Sequence, residues 1–312
     1  MLAREALLKA ADLIRQGRLV AFPTETVYGL GANALDAEAV ARIFRAKGRP
    51  STSPLIVHVD SPAMARTLVR RWPEEAGKLV ARFWPGPLTL VLEKEPRIPD
   101  IVTAGLGTVG IRLPAHPVAQ ALIREAGVPI AAPSANRFTG VSPTTAAHVR
   151  RALGDAVDMI LDGGRTRVGI ESTVLSLAAG KRVLLRPGMV SQPMIEEVIG
   201  PIEAAPASLK GTAAHASPGM HRRHYSPSTQ VILVAGGALP GTGRGAYLWY
   251  SRQAAAARSV LMPPEPRAYA RALYGVLHEA DTEGFDWIAV EAVPETPEWA
   301  AIADRLRRAA AL

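Results

Sequence analysis

Between residues 204 and 228 the chain loses every pattern that builds regular structure. The stretch is small, polar and punctuated by Pro and Gly, and its apolar residues keep no period, as in a connecting segment. On either side, short apolar runs alternate with amphipathic stretches. A chain of 312 residues is also long for one ordinary core. The reading is a large N-terminal unit (1–203), a linker (204–229) and a small C-terminal unit (230–312). Within the linker, S-P-G-M-H-R-R-H-Y-S-P is too basic and aromatic to be only a spacer.

In the N-terminal unit, apolar spacing predicts a helix over 2–16 with Gly17 as its stop. A short apolar strand follows at 18–22, which puts P-T-E-T in the loop leaving it. Asp36 caps a helix that buries Val40, Ile43 and Phe44 and ends at Gly48. Further strands are predicted at 55–59, 88–92, 109–113, 129–132, 159–161, 173–177 and 183–185. Helices are predicted at 116–126 and from a Thr144 cap to about Leu153. Strands and helices mix without strict alternation, so the expected class is α/β, a twisted mixed sheet with flanking helices. The C-terminal unit reads as a smaller, Rossmann-like α/β domain. Its strands fall at 231–234, 246–250 and 287–290, and its helices at 268–279 and 298–310.

Composition narrows the chemistry. There are no cysteines, which removes disulfides, thiolate zinc sites and thiol nucleophiles together. No window approaches the roughly 18 continuous apolar residues of a membrane span, and the acids near the N-terminus do not suit a signal peptide. A cytoplasmic location without membrane attachment is expected. The net charge is +8, carried mostly by arginine, which suits bidentate contacts to phosphate and carboxylate. Either an anionic partner or a solvated arginine-rich surface accounts for it.

Several positions carry candidate chemistry. Lys47 and Arg49, in K-G-R where a helix ends, fit phosphate binding, although cations also complement a helix C-terminus. G-L-G-T-V-G at 105–110 matches a dinucleotide fingerprint, but a strand follows it instead of a helix, so NAD binding is rejected. No Walker-type loop is present. Arg112, alone among apolar strand residues, is either a structural ion pair or a carboxylate clamp, and the clamp is favoured. His58 is one polar residue ending an apolar strand. Ser134 and Asn136, in S-A-N, and Ser142 and Thr144, in S-P-T-T, supply loop hydroxyls and amides, and the latter pair also suits helix capping. Ser172 and Arg186 complete the set. His215, His221 and His224 cluster in the linker at spacings that fit no familiar zinc site.

P-T-E-T-V-Y-G-L-G from Pro23, K-G-R from Lys47, P-L-I-V-H from Pro54 and S-A-N from Ser134 together resemble the YrdC-like domain of threonylcarbamoyl-AMP synthases. The linker and the segments L-Y-G-V-L-H-E-A-D, W-I-A-V-E and A-I-A-D-R-L resemble the long, two-domain form. The resemblance implies a reaction of L-threonine, bicarbonate and ATP, with Mg2+ accompanying the nucleotide, and a separate partner that transfers the product to tRNA. It implies a threonine pocket of Thr26, His58, Arg112, Ala132 and Ser172. The ATP side would comprise Lys47, Arg49, Ser53, Thr108, Ser134, Asn136, Ser142 and Arg186, with Tyr225 folded back over the nucleotide. Lys47 and Arg49 would stabilise the transition state, with no covalent nucleophile. No acidic motif announces a metal ligand. Ser53 stands where the family usually has asparagine, and His221 where it usually has lysine. Two competitors are a carbamoyl-transferring maturation factor, disfavoured by the missing cysteines, and a non-catalytic protein that binds RNA weakly through its basic surface.

Overall fold

The computed structural model describes residues 4–205 and 224–311. Ten strands form one mixed sheet: β1 (Val20–Pro23), β2 (Tyr28–Asn33), β3 (Ile56–His58), β4 (Leu88–Glu93), β5 (Thr108–Arg112), β6 (Ile130–Ala131), β7 (Met159–Ile160), β8 (Thr173–Ser176), β9 (Val183–Arg186) and β10 (Glu203–Ala204). Their order is β10-β9-β8-β4-β5-β3-β6-β2-β1-β7. Parallel pairs such as β3 with β5 and β4 with β8 alternate with antiparallel ones such as β1 with β2 and β4 with β5. The expected mixed α/β class is therefore the observed one.

The strand period of two sorts side chains to the two faces. Val20 and Phe22 of β1 point to one side with Ala10 and Ile14 of α1 (Arg4–Arg15). Ala21 points to the other, with Val40 and Ile43 of α2 (Ala37–Lys47). Asp36 caps α2 by accepting from the Glu38 and Ala39 amides, and Gly48 closes it at φ 62°, as the sequence suggests. The short helix α3 (Pro62–Arg66) and α4 (Glu74–Phe83) follow β3. Then come α5 (Asp100–Thr103), α6 (Pro117–Ala126), α7 (Ala146–Leu153) and α8 (Gln192–Ile199).

The C-terminal unit is a four-stranded parallel sheet in the order β11-β14-β12-β13. Its strands are β11 (Gln230–Val234), β12 (Gly245–Trp249), β13 (Arg258–Leu261) and β14 (Trp287–Glu291), flanked by α9 (Pro266–Asp281) and α10 (Ala300–Ala309). One buried cluster crosses the boundary between units. It joins Val27, Val141 and Ile170 to Tyr225, Tyr274 and Ile302. Among the described residues no helix is long and apolar enough to cross a membrane.

The structure corrects some readings. Strand β2 is missing from the sequence reading because two glycines dilute it. A Cβ at Gly31 would lie 2.7 Å from Phe22 and 2.8 Å from Ile130, so close packing across the sheet selects glycine there. Helices α3, α4, α5 and α8 and strands β10 and β13 also went unpredicted. The cap of α7 is Thr145, whose hydroxyl accepts from the His148 amide, and not Thr144. After β5 the chain reaches Leu113 and Pro114 without opening a helix at Gly110, which agrees with rejecting the dinucleotide fingerprint.

Candidate active site

A cleft of about 530 Å³, counting the part open to solvent, lies where the β1–β2 hairpin, β3, the S-A-N loop and the linker converge. Of the residues predicted from sequence, Arg49, His58, Ala132, Ser134, Arg186 and Tyr225 line it. Several others stand directly behind that wall.

Lys47 ends α2 fully buried, and its ammonium donates to the Ser134 and Asn136 carbonyls at 2.6 and 2.5 Å. It therefore pins the S-A-N loop. Burial, then the nearby Arg49 charge, push its pKa well below the ordinary 10.5. Asn136 holds the next turn by donating to the Arg137 and Gly140 carbonyls. Arg49 donates to the Pro54 carbonyl at 3.1 Å, and its Nε has no hydrogen-bond partner. Burial lowers its pKa to about 10, with Arg186 adding and Tyr225 opposing. Burial, the largest cause, and the neighbouring Arg305 charge also lower Arg186. Arg186 is anchored by donating to the Ser172 carbonyl and hydroxyl at 3.0 and 3.2 Å. Crowded, desolvated cations of this kind are stabilised by an incoming polyanion.

On the same cleft wall, burial and the Arg112 charge lower the His58 pKa to about 3, so the imidazole is neutral at physiological pH. Its buried Nδ1 has no hydrogen-bond partner. Arg112 lies behind the wall. It pairs with Glu25 at 2.7 Å and donates to the Thr26 hydroxyl at 3.0 Å and the Gly86 carbonyl at 3.2 Å. The ion-pair alternative for Arg112 is thus realised in this geometry. The Ser172 hydroxyl bonds that of Thr89 at 2.8 Å. Ser142 is not a cap: its hydroxyl donates to Glu171 at 2.6 Å. Ser53 is buried in the turn after Arg49. Thr108 lies apart, on a second, smaller cleft with Pro54 and Thr89.

Tyr225 closes the cleft from the linker side. Its backbone sits at φ 61°, unusual for a non-glycine residue. Its ring stacks on Tyr274 at 5.9 Å and meets His224 at 4.1 Å. Of the linker histidines, His215 and His221 lie outside the described residues. Among the described residues no group of His, Asp and Glu is placed to hold a metal ion.

Sequence reasoning missed Glu171 and Arg305. Glu171 lines the cleft and was readable as a carboxylate inside the apolar run G-I-E-S-T-V. Burial raises its pKa, but Arg305, Arg186 and the Ser142 hydroxyl outweigh that and leave it below the ordinary 4.5. Arg305 of α10 reaches it across the domain boundary at 2.9 Å.

A family model described as telomere recombination matches residues 12–188, and one described as threonylcarbamoyl-AMP synthase, C-terminal domain, matches 190–311. A threonylcarbamoyl-AMP synthase from Pyrococcus abyssi is 45% identical over 314 residues, spanning 96% of this chain and 92% of the relative. The chain belongs to the threonylcarbamoyl-AMP synthase family. A Bacillus subtilis member is 43% identical, spanning 97% of this chain and 92% of its own length. The solved structure of P. abyssi Sua5 complexed with L-threonine superposes with a TM-score of 0.91 at 43% identity, covering 97% of this chain and 94% of that one. Both units of the fold, and not only the larger sheet, are family features.

Proposed function

We propose that this chain is a nucleotidyltransferase that condenses L-threonine, bicarbonate and ATP into threonylcarbamoyl-AMP, pyrophosphate and water; with CO2 in place of bicarbonate no water is released. The product would serve threonylcarbamoyl-adenosine formation at position 37 of tRNAs reading codons that begin with A, through a separate transferase in the cytoplasm. The observation that carries this reading is the convergence of Arg49, Arg186 and the neutral His58 on one cleft. The two cations suit a triphosphate, and the uncharged imidazole suits a small zwitterion.

Bicarbonate takes up a proton and loses water to give CO2, which the threonine amine adds with loss of a proton to form a carbamate. A carbamate oxygen then attacks the α-phosphorus, and the bond to the β-phosphate oxygen breaks to release pyrophosphate. Arg49 and Arg186 meet the charge that develops on the phosphoryl oxygens, and Lys47 fixes the S-A-N loop beside them. Thr26, His58, Ala132 and Ser172 are the proposed threonine contacts. Arg112 acts there from behind, orienting Thr26 and adding positive potential toward the substrate carboxylate. Ser53 and Thr108 are assigned to the nucleotide side on the family resemblance alone. Tyr225 shields the labile carbamate from water.

Magnesium enters with ATP as part of the substrate. The Glu171 carboxylate in the wall already accepts from Ser142, Tyr274 and Arg305, so the phosphate oxygens, and not a protein cage, would hold the ion.

The test is pyrophosphate release from ATP, magnesium and bicarbonate with and without L-threonine. The expected result is release that depends on threonine and is weaker with serine or glycine. No release with any amino acid, together with salt-sensitive tRNA binding, would instead support a non-catalytic RNA-binding protein.

A further inference from the structure

Glu171 is held from both units. Ser142 donates to one carboxylate oxygen at 2.6 Å, while Tyr274 of α9 and Arg305 of α10 donate to the other at 3.0 and 2.9 Å. The Arg305 side chain is fully buried and also donates to the Pro187 carbonyl at 2.9 Å and to Asp304 at 2.8 Å, a carboxylate that Arg308 holds as well. Its guanidinium carbon lies 5.2 Å from the centre of the Tyr225 ring. Glu171 and Tyr225 both line the cleft, whereas Arg305 does not. One guanidinium from the C-terminal unit thus braces two walls of the cleft.

Stability alone is a poor reason for this residue. The neighbours on the inward face of α10 are Ala301, Ile302, Leu306 and Ala309, and an apolar side chain there would avoid desolvating a charge. The electrostatic reason is more specific. Arg186 also acts on Glu171. Without Arg305, the Glu171 carboxylate would turn its charge on Arg186 and cancel part of the positive potential that faces the phosphates.

We propose that Arg305 is a positioning residue for ATP: it neutralises Glu171 and supports Tyr225, so that the C-terminal unit completes the nucleotide site. This rests on reading the cleft as the ATP site.

The experiment is calorimetric titration of MgATP into wild-type protein, Arg305→Met, Arg305→Lys and the pair Glu171→Gln/Arg305→Met. Arg305→Met is expected to weaken ATP binding by about tenfold or more, the factor that about 1.4 kcal/mol represents. Arg305→Lys is expected to stay near wild type, and the pair to regain most of the loss because the uncompensated carboxylate is gone. If Arg305→Met does not fold, Arg305→Gln, which keeps a donor toward Glu171 but not the charge, takes its place with the same expected loss and the same overturning result. Wild-type affinity in Arg305→Met, or a pair that binds no better than the single variant, would overturn the inference while leaving the function reading intact. A wild-type protein that does not bind ATP would sink that reading, and this inference with it.

Discussion

At the residue scale, the cations divide into those that line the cleft and those that hold its wall. Lys47 belongs to the second group, because its ammonium serves two carbonyls of the S-A-N loop. Lys47→Met leaves the buried Asn136 carbonyl unpaired, at about 1–3 kcal/mol, and the part-buried Ser134 carbonyl at less. Urea unfolding should show that loss, and ATP binding should weaken with it; an unchanged midpoint would mean the loop stands without the lysine. Arg112 differs, since removing it strands the buried Glu25 carboxylate. Arg112→Ala should cost about 3–5 kcal/mol. The pair Glu25→Gln/Arg112→Met should regain most of that stability but not threonine-dependent pyrophosphate release. Recovered release in the pair would confine Arg112 to a structural role. His58 was legible as a polar residue ending an apolar strand and Arg49 and Ser134 as motif residues, whereas Arg186 was legible only through the family resemblance. Glu171 showed only as a carboxylate inside G-I-E-S-T-V and Arg305 only as one residue of an amphipathic helix, so the role of neither was legible. Their meaning depends on a contact between residues 134 positions apart in sequence.

At the scale of elements, α2 and α6 were legible because caps and spacing agree: Asp36 and Gly48 bracket the first, His116 and Gly127 the second. Strand β2 was hidden because its glycines answer to neighbours distant in sequence, Phe22 and Ile130. The contact between the Ile170 loop and α9 was equally hidden. Gly169 has φ 86°, and a Cβ there would lie 2.4 Å from the Ala270 carbonyl and 2.5 Å from the Arg271 Cα. Gly169→Ala must push α9 away, and with it the Tyr274 hydroxyl that holds Glu171. The expected cost is about 1–3 kcal/mol from overpacking, with a strained backbone in addition. Hydrogen exchange should show α9 opening more readily. Unchanged protection in α9 would mean that the two units do not depend on this contact.

At the scale of the whole molecule, the two units meet through neutral histidines as well as through Arg305. His148 of α7 and His278 of α9 stack with centroids 3.9 Å apart. Burial, then His278, Arg151 and Arg165, lower His148 to about 3. Burial also lowers His278, with Arg151 adding to it, while the Ser142 carbonyl and Asp281 oppose. Below about 6.5 an unfolded imidazole takes up a proton that these folded ones refuse. Stability should therefore fall as pH drops below about 6.5, and His148→Gln/His278→Gln should reduce that fall without abolishing it, because His58 is also held neutral. Glu171 acts in a lower window: its depressed pKa gives stability that is lost only as pH falls below the ordinary 4.5. Thermal melts across pH check both, and an equal slope in the double variant would clear the histidines. Removing everything after residue 203 would uncover Val27, Val141 and Ile170 and release Glu171 from two of its three side-chain donors. The fragment should fold with impaired synthesis. The account as a whole is tested most directly by the mass of the nucleotide product after incubation with ATP, magnesium, bicarbonate and L-threonine. The account predicts an adenylate that carries both threonine and the carbon of bicarbonate, formed in step with pyrophosphate; ADP and phosphate, or unchanged ATP, would contradict it.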